Sequence, residues 1–380
     1  MHKRVQALII TGIILGTITS NTLPVFANTN VHTNLEQKQK ISTYSNEKDK
    51  LKEVITIPDK NLEKALKDKL FGNEDSSNPI TKDALLKITT LDLSDMNISN
   101  LEGIQNCENL VTLYLSLNQI SNIEPLKGLT NLTTLKLNSN QISNIEVLKG
   151  LINLKSLDLS DNKLNNNIEI LSGLTNLTYL DLGSNEINNI EVLKGLTNLT
   201  SLRLESNKIS NIDALNGLTK LTYLNLGSNE ISNIDALKGL TNLTSLSLES
   251  NKISNIDALK GLTSLSLSSN EISNIDSLKE LTKLTVLSLN SNKISSLEAL
   301  KGLSNPNLLV YAVNQDIELK EIQSQGNLAE IKNNIKYIDG SIINATGISD
   351  GGLYDPNTNL IKWDNIIADT NETYNFFAEK

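Results

Sequence analysis

The chain has 380 residues, 38% of them hydrophobic and 3% aromatic, with a formal net charge of −9 at pH 7. An acidic chain is a poor candidate for binding nucleic acid or an anionic membrane, so we expect basic or neutral partners. One cysteine, Cys107, excludes an intrachain disulfide, and we expect it to be a buried, unreactive thiol. The two histidines, His2 and His32, both precede the repeats, which disfavours a histidine-based catalytic or zinc site there.

Residues 1–27 have the features of a signal peptide. Lys3 and Arg4 form a charged start, residues 7–19 are largely apolar, and residues 25–27 fit the small-x-small rule for cleavage. The apolar run is too short to span a bilayer, so no membrane insertion is expected. The sequence therefore predicts a secreted, extracellular protein. A secreted chain without disulfides must be stabilised by packing alone, which is more typical of a protein exported by a Gram-positive bacterium than of a small eukaryotic secreted domain.

A polar linker and a helical cap are predicted before the repeats. Residues 28–53 lack periodicity and read as a disordered linker. Within residues 54–87, one amphipathic helix starts at Asp59 and stops at Gly72, and Thr81 caps a second short helix. A solenoid would otherwise expose the apolar end of its first repeat, so we interpret these helices as its cap.

Residues 88–316 show a 22-residue period, and residues 218–239 give a representative unit, LTKLTYLNLGSNEISNIDALKG. The pattern predicts an α/β solenoid of about 11 rungs, a curved leucine-rich-repeat horseshoe with a parallel β-sheet and a 3₁₀ or irregular convex side. An asparagine recurs after each strand, and seven of the nine steps between these asparagines match the 22-residue period. We expect its amide to satisfy backbone groups inside the molecule. The predicted ladder comprises Asn118, Asn140, Asn162, Asn185, Asn207, Asn229, Asn251, Asn270, Asn292 and Asn314.

Three irregularities interrupt this frame. Met96 stands where the first asparagine is expected, next to the predicted cap. Residues 165–167 add one residue, which predicts a bulge in a turn. Between Asn251 and Asn270 three residues are missing, so Leu262 must end one convex segment and open the next strand. We expect a local change of curvature there.

Each repeat also carries an acidic residue after its second isoleucine and usually a lysine three residues later, as in Asp235 and Lys238. This order suits the dipole of a short helical turn. A calcium ladder would use the same carboxylates, but the repeat has no loop that gathers six oxygen ligands. We therefore expect no metal and no cofactor.

The outward positions of the predicted sheet form the candidate partner-binding surface, because tyrosine and arginine commonly anchor interfaces. They are Tyr114, Lys136, Asp158, Tyr179, Asp181, Arg203, Glu205, Tyr223, Asn225 and Glu249, followed by Ser247, Val286 and Ser288. A flanking column alternates in charge and is interpreted as structural: Glu186, Lys208, Glu230, Lys252, Glu271 and Lys293.

The 22-residue unit, the helical cap and the tail sequence ISDGGLYDPNTNLIKWDN resemble the internalins, secreted or wall-attached bacterial leucine-rich-repeat proteins. The resemblance runs from about residue 55 to the C-terminus. It implies a curved solenoid whose concave sheet grips host proteins, with an immunoglobulin-like module fused to the last rung.

The residues of the tail, 317–380, agree in part with that resemblance. Short alternating runs separated by turn residues predict an all-β module. This segment is shorter than the roughly 100 residues of an immunoglobulin-like sandwich, so we expect an incomplete domain. No wall-sorting motif follows, and a released protein is expected.

The favoured function is protein binding or adhesion at a host or cell surface, with a role in virulence and no enzymatic activity. We expect a monomer that binds a protein partner and no nucleic acid. One alternative is a phosphatase-regulator type of leucine-rich scaffold. The other is a glycan-binding or glycosidase surface at Asp158 and Asp181, for which the sequence indicates neither a pocket nor a desolvated acid with raised pKa.

Overall fold

The structure is a computed structural model that describes residues 50–72, 77–303, 305–318, 323–325, 328–332, 353–364 and 373–376. The predicted signal peptide and almost all of the predicted linker lie outside the described residues. Within the described ranges, every helix is too short or too polar to span a bilayer.

Two helices precede the repeats, as the sequence predicts. Helix α1 is Lys60–Phe71, buries Leu62 and Leu66, and ends at Gly72, whose φ of 72° lies in the left-handed region that glycine adopts readily. Helix α2 is Lys82–Leu85 and begins after Thr81, whose hydroxyl accepts from the backbone N–H of Ala84 at 3.3 Å.

Asp59 joins the first helix to the first repeat. Its Oδ1 accepts from the backbone N–H groups of Asn61 (2.9 Å) and Leu62 (3.1 Å), while its Oδ2 accepts from those of Ser99 (2.9 Å) and Asn100 (3.1 Å). Partial burial would raise the pKa of Asp59, but these four hydrogen bonds outweigh it and hold the pKa below its ordinary value. One carboxylate thus caps a helix and a loop 40 residues away.

The described repeats form an eleven-stranded parallel sheet in which each strand pairs with the next one along the chain. Every strand has three residues, and its central residue, leucine in all but the last, aligns with the central residue of its neighbour. The strands are β1 Thr90–Asp92, β2 Thr112–Tyr114, β3 Thr134–Lys136, β4 Ser156–Asp158, β5 Tyr179–Asp181, β6 Ser201–Arg203, β7 Tyr223–Asn225, β8 Ser245–Ser247, β9 Ser264–Ser266, β10 Val286–Ser288 and β11 Leu309–Tyr311. This part of the predicted fold class is confirmed.

Short 3₁₀ helices return the chain to the next strand on the side opposite the sheet. Among the described residues they are Ile104–Asn106, Glu124–Leu126, Glu146–Gly150, Glu169–Gly173, Glu191–Gly195, Asp213–Leu215, Asp235–Gly239, Asp276–Glu280 and Glu298–Gly302. An asparagine commonly starts them: Oδ1 of Asn144 accepts from the N–H of Glu146 at 2.9 Å. The expected acid-to-lysine order closes an ion pair in several of them, as between Lys238 and Asp235 at 2.7 Å.

The asparagine ladder is present in nine of its ten predicted positions. In a representative rung, Nδ2 of Asn207 donates to the carbonyls of Leu182 (3.0 Å) and Leu204 (3.1 Å), and its Oδ1 accepts from the N–H of Ile187 (3.0 Å). Each amide therefore satisfies groups on its own rung and on the preceding rung, where water has little access. The same pattern occurs from Asn118 to Asn292.

The tenth position corrects the sequence analysis, because Asn314 is not a ladder residue. It is exposed and has a φ of 57°, the left-handed conformation that precedes each ladder asparagine. Fully buried Gln315 takes the ladder role: Nε2 donates to the carbonyl of Leu289 (2.8 Å), and Oε1 accepts from the N–H of Ile294 (3.0 Å). The pairing of Val286 with Leu309 makes this step one residue longer than the repeat, which moves the ladder position by the same amount.

The other irregularities of the repeat also lie in turns outside the strands of the sheet. Around the three-residue deletion, Leu246 still pairs with Leu265, and Leu262 is buried. The described chain there makes a turn instead of a 3₁₀ helix, and Gly261 adopts a φ of 73°. The sheet is therefore continuous across the deletion, and the change of curvature stays a prediction.

At the insertion, the extra asparagine is used as a bridge between rungs. Oδ1 of Asn166 accepts from the N–H groups of Asn188 and Asn189, both at 3.1 Å. At the first rung, the N–H of Met96 donates to Oδ1 of Asn118 at 3.3 Å. At the ladder position of the first rung, the contact to the next rung is therefore made by the backbone N–H of Met96 and not by a side-chain amide.

The described part of the tail is antiparallel β-structure, in agreement with the all-β prediction. Strands β12 (Gln315–Glu318) and β17 (Thr373–Phe376) form one pair. A second sheet has the order β13-β14-β16-β15, from strands Gln323–Gln325, Leu328–Lys332, Leu360–Asp364 and Leu353–Asp355. Its immunoglobulin-like character stays an expectation.

Candidate partner-binding face

The outward positions of the sheet form one continuous surface, which we call the sheet face. It consists of the first and third residues of strands β1–β11 and the residue two positions after each strand. Because side chains alternate along a strand, the buried central residues force these neighbours toward solvent. Equivalent positions on adjacent rungs then lie about 4.8 Å apart.

All ten residues of the predicted binding surface lie on the sheet face, either on strands β2–β8 or two positions after one of them. Tyr114, Lys136, Asp158, Asp181, Arg203 and Asn225 are third residues, Tyr179 and Tyr223 are first residues, and Glu205 and Glu249 follow their strands by two positions. Whether they contact a partner stays a prediction.

Six of these residues form a connected set, which we call the charged network. It comprises Lys136, Asp158, Tyr179, Asp181, Arg203 and Tyr223. The ammonium of Lys136 lies 3.3 Å from Oδ2 of Asp158 and 4.1 Å from the ring centroid of Tyr179. The Tyr179 hydroxyl donates to Oδ2 of Asp181 at 3.1 Å.

Arg203 extends the network to the next aromatic ring. Its Nε lies 3.9 Å from Oδ2 of Asp181, and its Cζ lies 4.9 Å from the ring centroid of Tyr223. Sequence analysis treated tyrosine and arginine as separate anchors and missed these contacts. The sequence could have indicated these contacts, because the residues occupy aligned or diagonal positions of adjacent strands. At such positions a cation, an aromatic ring and a carboxylate can contact one another.

Asp181 is the most enclosed acid of the sheet face, with 6% of its surface exposed. Burial raises its pKa above the ordinary value, and the nearby charge of Asp158 acts in the same direction. Burial and the charge of Asp181 also raise the pKa of Tyr179. The expectation that no desolvated acid is present here is therefore wrong.

The carboxylate oxygens of the two aspartates are nevertheless engaged within the protein. Asp158 binds Lys136 through Oδ2, and its Oδ1 accepts from the hydroxyl of Ser160 at 2.7 Å. Asp181 accepts from Tyr179 and, through Oδ1, from the N–H of Gly183 at 3.0 Å. These contacts favour a structural use of both carboxylates.

Glu205 and Glu249 are held over glycines of the preceding rungs. A Cβ on Gly183 would lie 2.9 Å from Cδ of Glu205, and a Cβ on Gly227 would lie 3.0 Å from Cγ of Glu249. Among the described residues, Oε2 of Glu205 and Nε of Arg203 are buried without a hydrogen-bond partner, and burial raises the pKa of the Glu205 carboxyl. Glycine thus provides the space in which each glutamate lies.

The flanking charges pair as expected. Lys208 lies 3.1 Å from Glu186, and Lys252 lies 3.0 Å from Glu230, in each case joining two adjacent rungs. Roughly half or more of each side chain is exposed, so each pair contributes about 0–1 kcal/mol. Lys293 and Glu271 repeat the arrangement at 3.8 Å.

The far end of the sheet face is different in character. Serines occupy the third position of β8, β9 and β10, and then Val286, Leu309 and Tyr311 expose 36%, 56% and 51% of their surfaces. Sequence analysis included Val286 but missed Leu309 and Tyr311, since it did not assign the last strand.

Outside the sheet face, Cys107 is buried, and desolvation raises the pKa of its thiol to about 12. This fits the inert thiol that the sequence predicts. Among the described residues, no group of three or more His, Cys, Asp or Glu side chains is placed to hold a metal ion.

Comparisons with known proteins agree with this architecture. The family model for leucine-rich repeats (two copies) matches residues 86–128, 108–150, 152–195, 175–217, 197–239, 219–261 and 260–302, together more than half of the chain. There is no significant match among curated protein sequences.

The solved structures that are similar to the chain include two internalins and a further leucine-rich-repeat protein. An internalin (inlF) from Listeria monocytogenes is 31% identical over 68% of this chain and 82% of that protein, with a TM-score of 0.60. Internalin C2 from the same species is 31% identical over 67% and 93%, with a TM-score of 0.42. A leucine-rich-repeat protein from Leptospira interrogans is 25% identical over 60% and 67%, with a TM-score of 0.50.

Proposed function

The chain belongs to the internalin-like leucine-rich-repeat proteins, and on that premise we propose that it binds a host or cell-surface protein through its sheet face. Proteins of this fold typically serve as scaffolds for protein interaction. The charged network is the observation that carries the proposal. It places two tyrosines and an arginine, residue types that anchor interfaces, on one exposed surface.

The network also orders these anchors before a partner arrives. Lys136 stacks on Tyr179, Arg203 stacks on Tyr223, and Asp181 accepts from Tyr179 while lying next to Arg203. Binding costs about 0.5–1.5 kcal/mol for each long side chain that it immobilises, so side chains already held in place favour association.

The size of the surface suits a protein partner. The ten candidate residues extend over seven strands, β2–β8, which corresponds to about 30 Å at the spacing of parallel strands. A stable protein interface buries about 800 Å² on each partner. A surface of this length can supply that area without a deep pocket.

The proposal also includes the cellular setting. The signal-peptide pattern of residues 1–27 supports secretion, and the freedom from disulfides supports a Gram-positive bacterium as the source. In this setting we propose an adhesion role that contributes to virulence, a monomeric solenoid with a concave sheet face, and an immunoglobulin-like tail. Its proposed segments are the linker 28–53, the cap 54–87, the repeats 88–316 and the tail 317–380.

A photo-crosslinking residue on the sheet face tests the proposal. We would place it at Asn225, between the charged network and Glu249, and at exposed Lys194 on the 3₁₀ side as the control. The chain would be incubated with surface proteins of cultured mammalian cells. Crosslinking from Asn225 and not from Lys194 is the expected result. Equal yields from the two positions would contradict it.

Glycan cleavage is a second candidate because Asp181 is a buried carboxyl with a raised pKa, aligned with Asp158 on the neighbouring strand. A retaining glycosidase needs two carboxyls about 5–5.5 Å apart, one of them free to attack. The contacts of Asp158 with Lys136 and Ser160 oppose that role. Release of reducing sugar from cell-wall or mammalian glycans, lost in Asp158→Asn, would establish it.

A further inference from the structure

We propose that the contact segment of the partner carries two basic side chains and that Glu205 and Glu249 receive them. This inference rests on the proposed function, since it names the chemistry of the protein that the sheet face binds.

The charges of the described sheet face do not balance. Five acids and two bases give a net charge of −3: Asp92, Asp158, Asp181, Glu205 and Glu249 against Lys136 and Arg203. Lys136 pairs with Asp158 at 3.3 Å, and Arg203 lies 3.9 Å from Asp181, with its Nε buried without a hydrogen-bond partner among the described residues. In the central part of the face, four acids against these two bases leave a net charge of −2, and within the described residues neither Glu205 nor Glu249 belongs to an ion pair.

The glutamates differ from those of the flanking column in the same region. Glu186 and Glu230 each pair with a lysine of the next rung, at 3.1 and 3.0 Å. In the described part of the chain, Glu205 forms no ion pair and has a buried oxygen without a hydrogen-bond donor. Within the same described residues, the carboxylate of Glu249 accepts a hydrogen bond from the hydroxyl of Ser266 alone, at 3.1 Å.

A basic side chain supplies what these carboxylates lack. An acceptor without a donor is unfavourable, more so when it is charged, and a guanidinium or ammonium group offers both donors and charge. Burial has also removed part of the water that would screen the interaction at Glu205. A neutral or acidic partner would leave the charge uncompensated and would cover it at a further cost.

The geometry sets the spacing of the two basic groups. Glu205 and Glu249 occupy equivalent positions two rungs apart, which is about 10 Å at the spacing of parallel strands. Gly227 lies between them in the same column and presents no side chain. The side chain of Glu249 occupies the space over Gly227, so the partner meets two acidic points, and two basic residues about 10 Å apart are complementary to them.

The test uses an octa-arginine peptide, fluorescently labelled, as the probe. Binding would be measured by anisotropy at low salt for the wild-type chain, for E205Q/E249Q and for E186Q/E230Q. The two double variants change the net charge equally, and only the first changes the sheet face. Because two charge contacts at about 4 Å in water together correspond to about thirtyfold in affinity, we expect E205Q/E249Q to weaken binding about thirtyfold and E186Q/E230Q less than about twofold.

An equal effect of the two double variants, or none from E205Q/E249Q, would overturn the inference. Thermal unfolding of each variant, compared with the wild-type chain, establishes that the fold is retained. The proposed function is tested separately by crosslinking from Asn225. If crosslinking captures a protein whose affinity E205Q/E249Q leaves unchanged, the sheet-face function stands and the basic partner is wrong.

Discussion

The interior ladder and the sheet face run along the same rungs but differ in how far their residues vary. The ladder holds asparagine in nine rungs and glutamine in the last, with closely similar hydrogen bonds throughout. The third strand position changes from Tyr114 through Lys136, Asp158, Asp181, Arg203 and Asn225 to serine. Stacking restricts the residue type at the interior position, because each rung must satisfy backbone hydrogen-bonding groups of the neighbouring rung. The variable face is where the chain can specify a partner.

The largest expected effect is on the ladder. Asn207→Ala leaves the carbonyl of Leu182 and the N–H of Ile187 without their side-chain partner in a buried place. We expect a loss of about 2–4 kcal/mol in the free energy of unfolding, measured by urea denaturation. Ser201→Ala on β6 is the control and should change it by less than about 0.5 kcal/mol. Similar losses in the two variants would erase the contrast between interior and face.

The second effect is at the junction between cap and repeats. Asp59→Ala removes the side-chain acceptor of two backbone N–H groups in α1 and two in the first rung, so we expect a loss of about 1–2 kcal/mol. Because the folded-state pKa of Asp59 is lowered, its contribution is present above the unfolded-state pKa, about 3.9, and disappears as the pH falls through the folded-state pKa. Acid denaturation followed by circular dichroism measures this. A variant with the wild-type acid profile would contradict the assignment.

The third effect, on the face residue Asp181, has the opposite sign of pH dependence, because burial raises the folded-state pKa of this carboxyl. Its folded-state pKa is raised, so its contribution to stability is present below the unfolded-state pKa and is lost as the pH rises through the folded-state pKa. We expect Asp181→Asn to change stability at pH 7 by only about 0.5–1 kcal/mol and to flatten its decline as the pH rises above the unfolded-state pKa of about 3.9. Urea denaturation across these pH values is the measurement, with Asp158→Asn as the matched variant. An unchanged slope would contradict the cause given for the shift.

The smallest effect is on the flanking column. Lys208→Ala breaks the ion pair with Glu186, and its cost should be below about 0.5 kcal/mol because both side chains are largely exposed. Thermal unfolding at low and high salt measures it. A cost near that of Asn207→Ala would show that the flanking pairs belong to the scaffold as much as the ladder does.

Repetition explains which parts of the fold were predictable. The strands, the cap helices and nine ladder asparagines follow from the 22-residue period and from capping residues such as Asp59 and Thr81. Asn314 misled because it keeps the 22-residue spacing, whereas the last rung is one residue longer and uses Gln315. A single sequence does not show where a rung gains a residue once the leucine pattern fades.

The contacts of the face were harder to predict, because they depend on side-chain directions across rungs. Period and alternation place Tyr179 and Asp181 outward, but not the stacking of Lys136 on the ring or the position of Glu205 over Gly183. A further column was also missed: Nδ2 of Asn198 donates to the carbonyl of Thr175 at 2.9 Å. Its position in the repeat unit was visible, but its partner on the preceding rung was not.

The affinity of the captured partner for a fourfold variant tests the central claim most directly. Tyr114, Tyr179, Arg203 and Tyr223 would be changed to alanine together, and the dissociation constant compared with the wild-type value by surface plasmon resonance. Anchor residues cost about 2 kcal/mol or more each, so we predict a loss of at least about 100-fold, with the cooperative unfolding transition retained. An unchanged dissociation constant in the folded variant would contradict the claim that the sheet face is the binding surface.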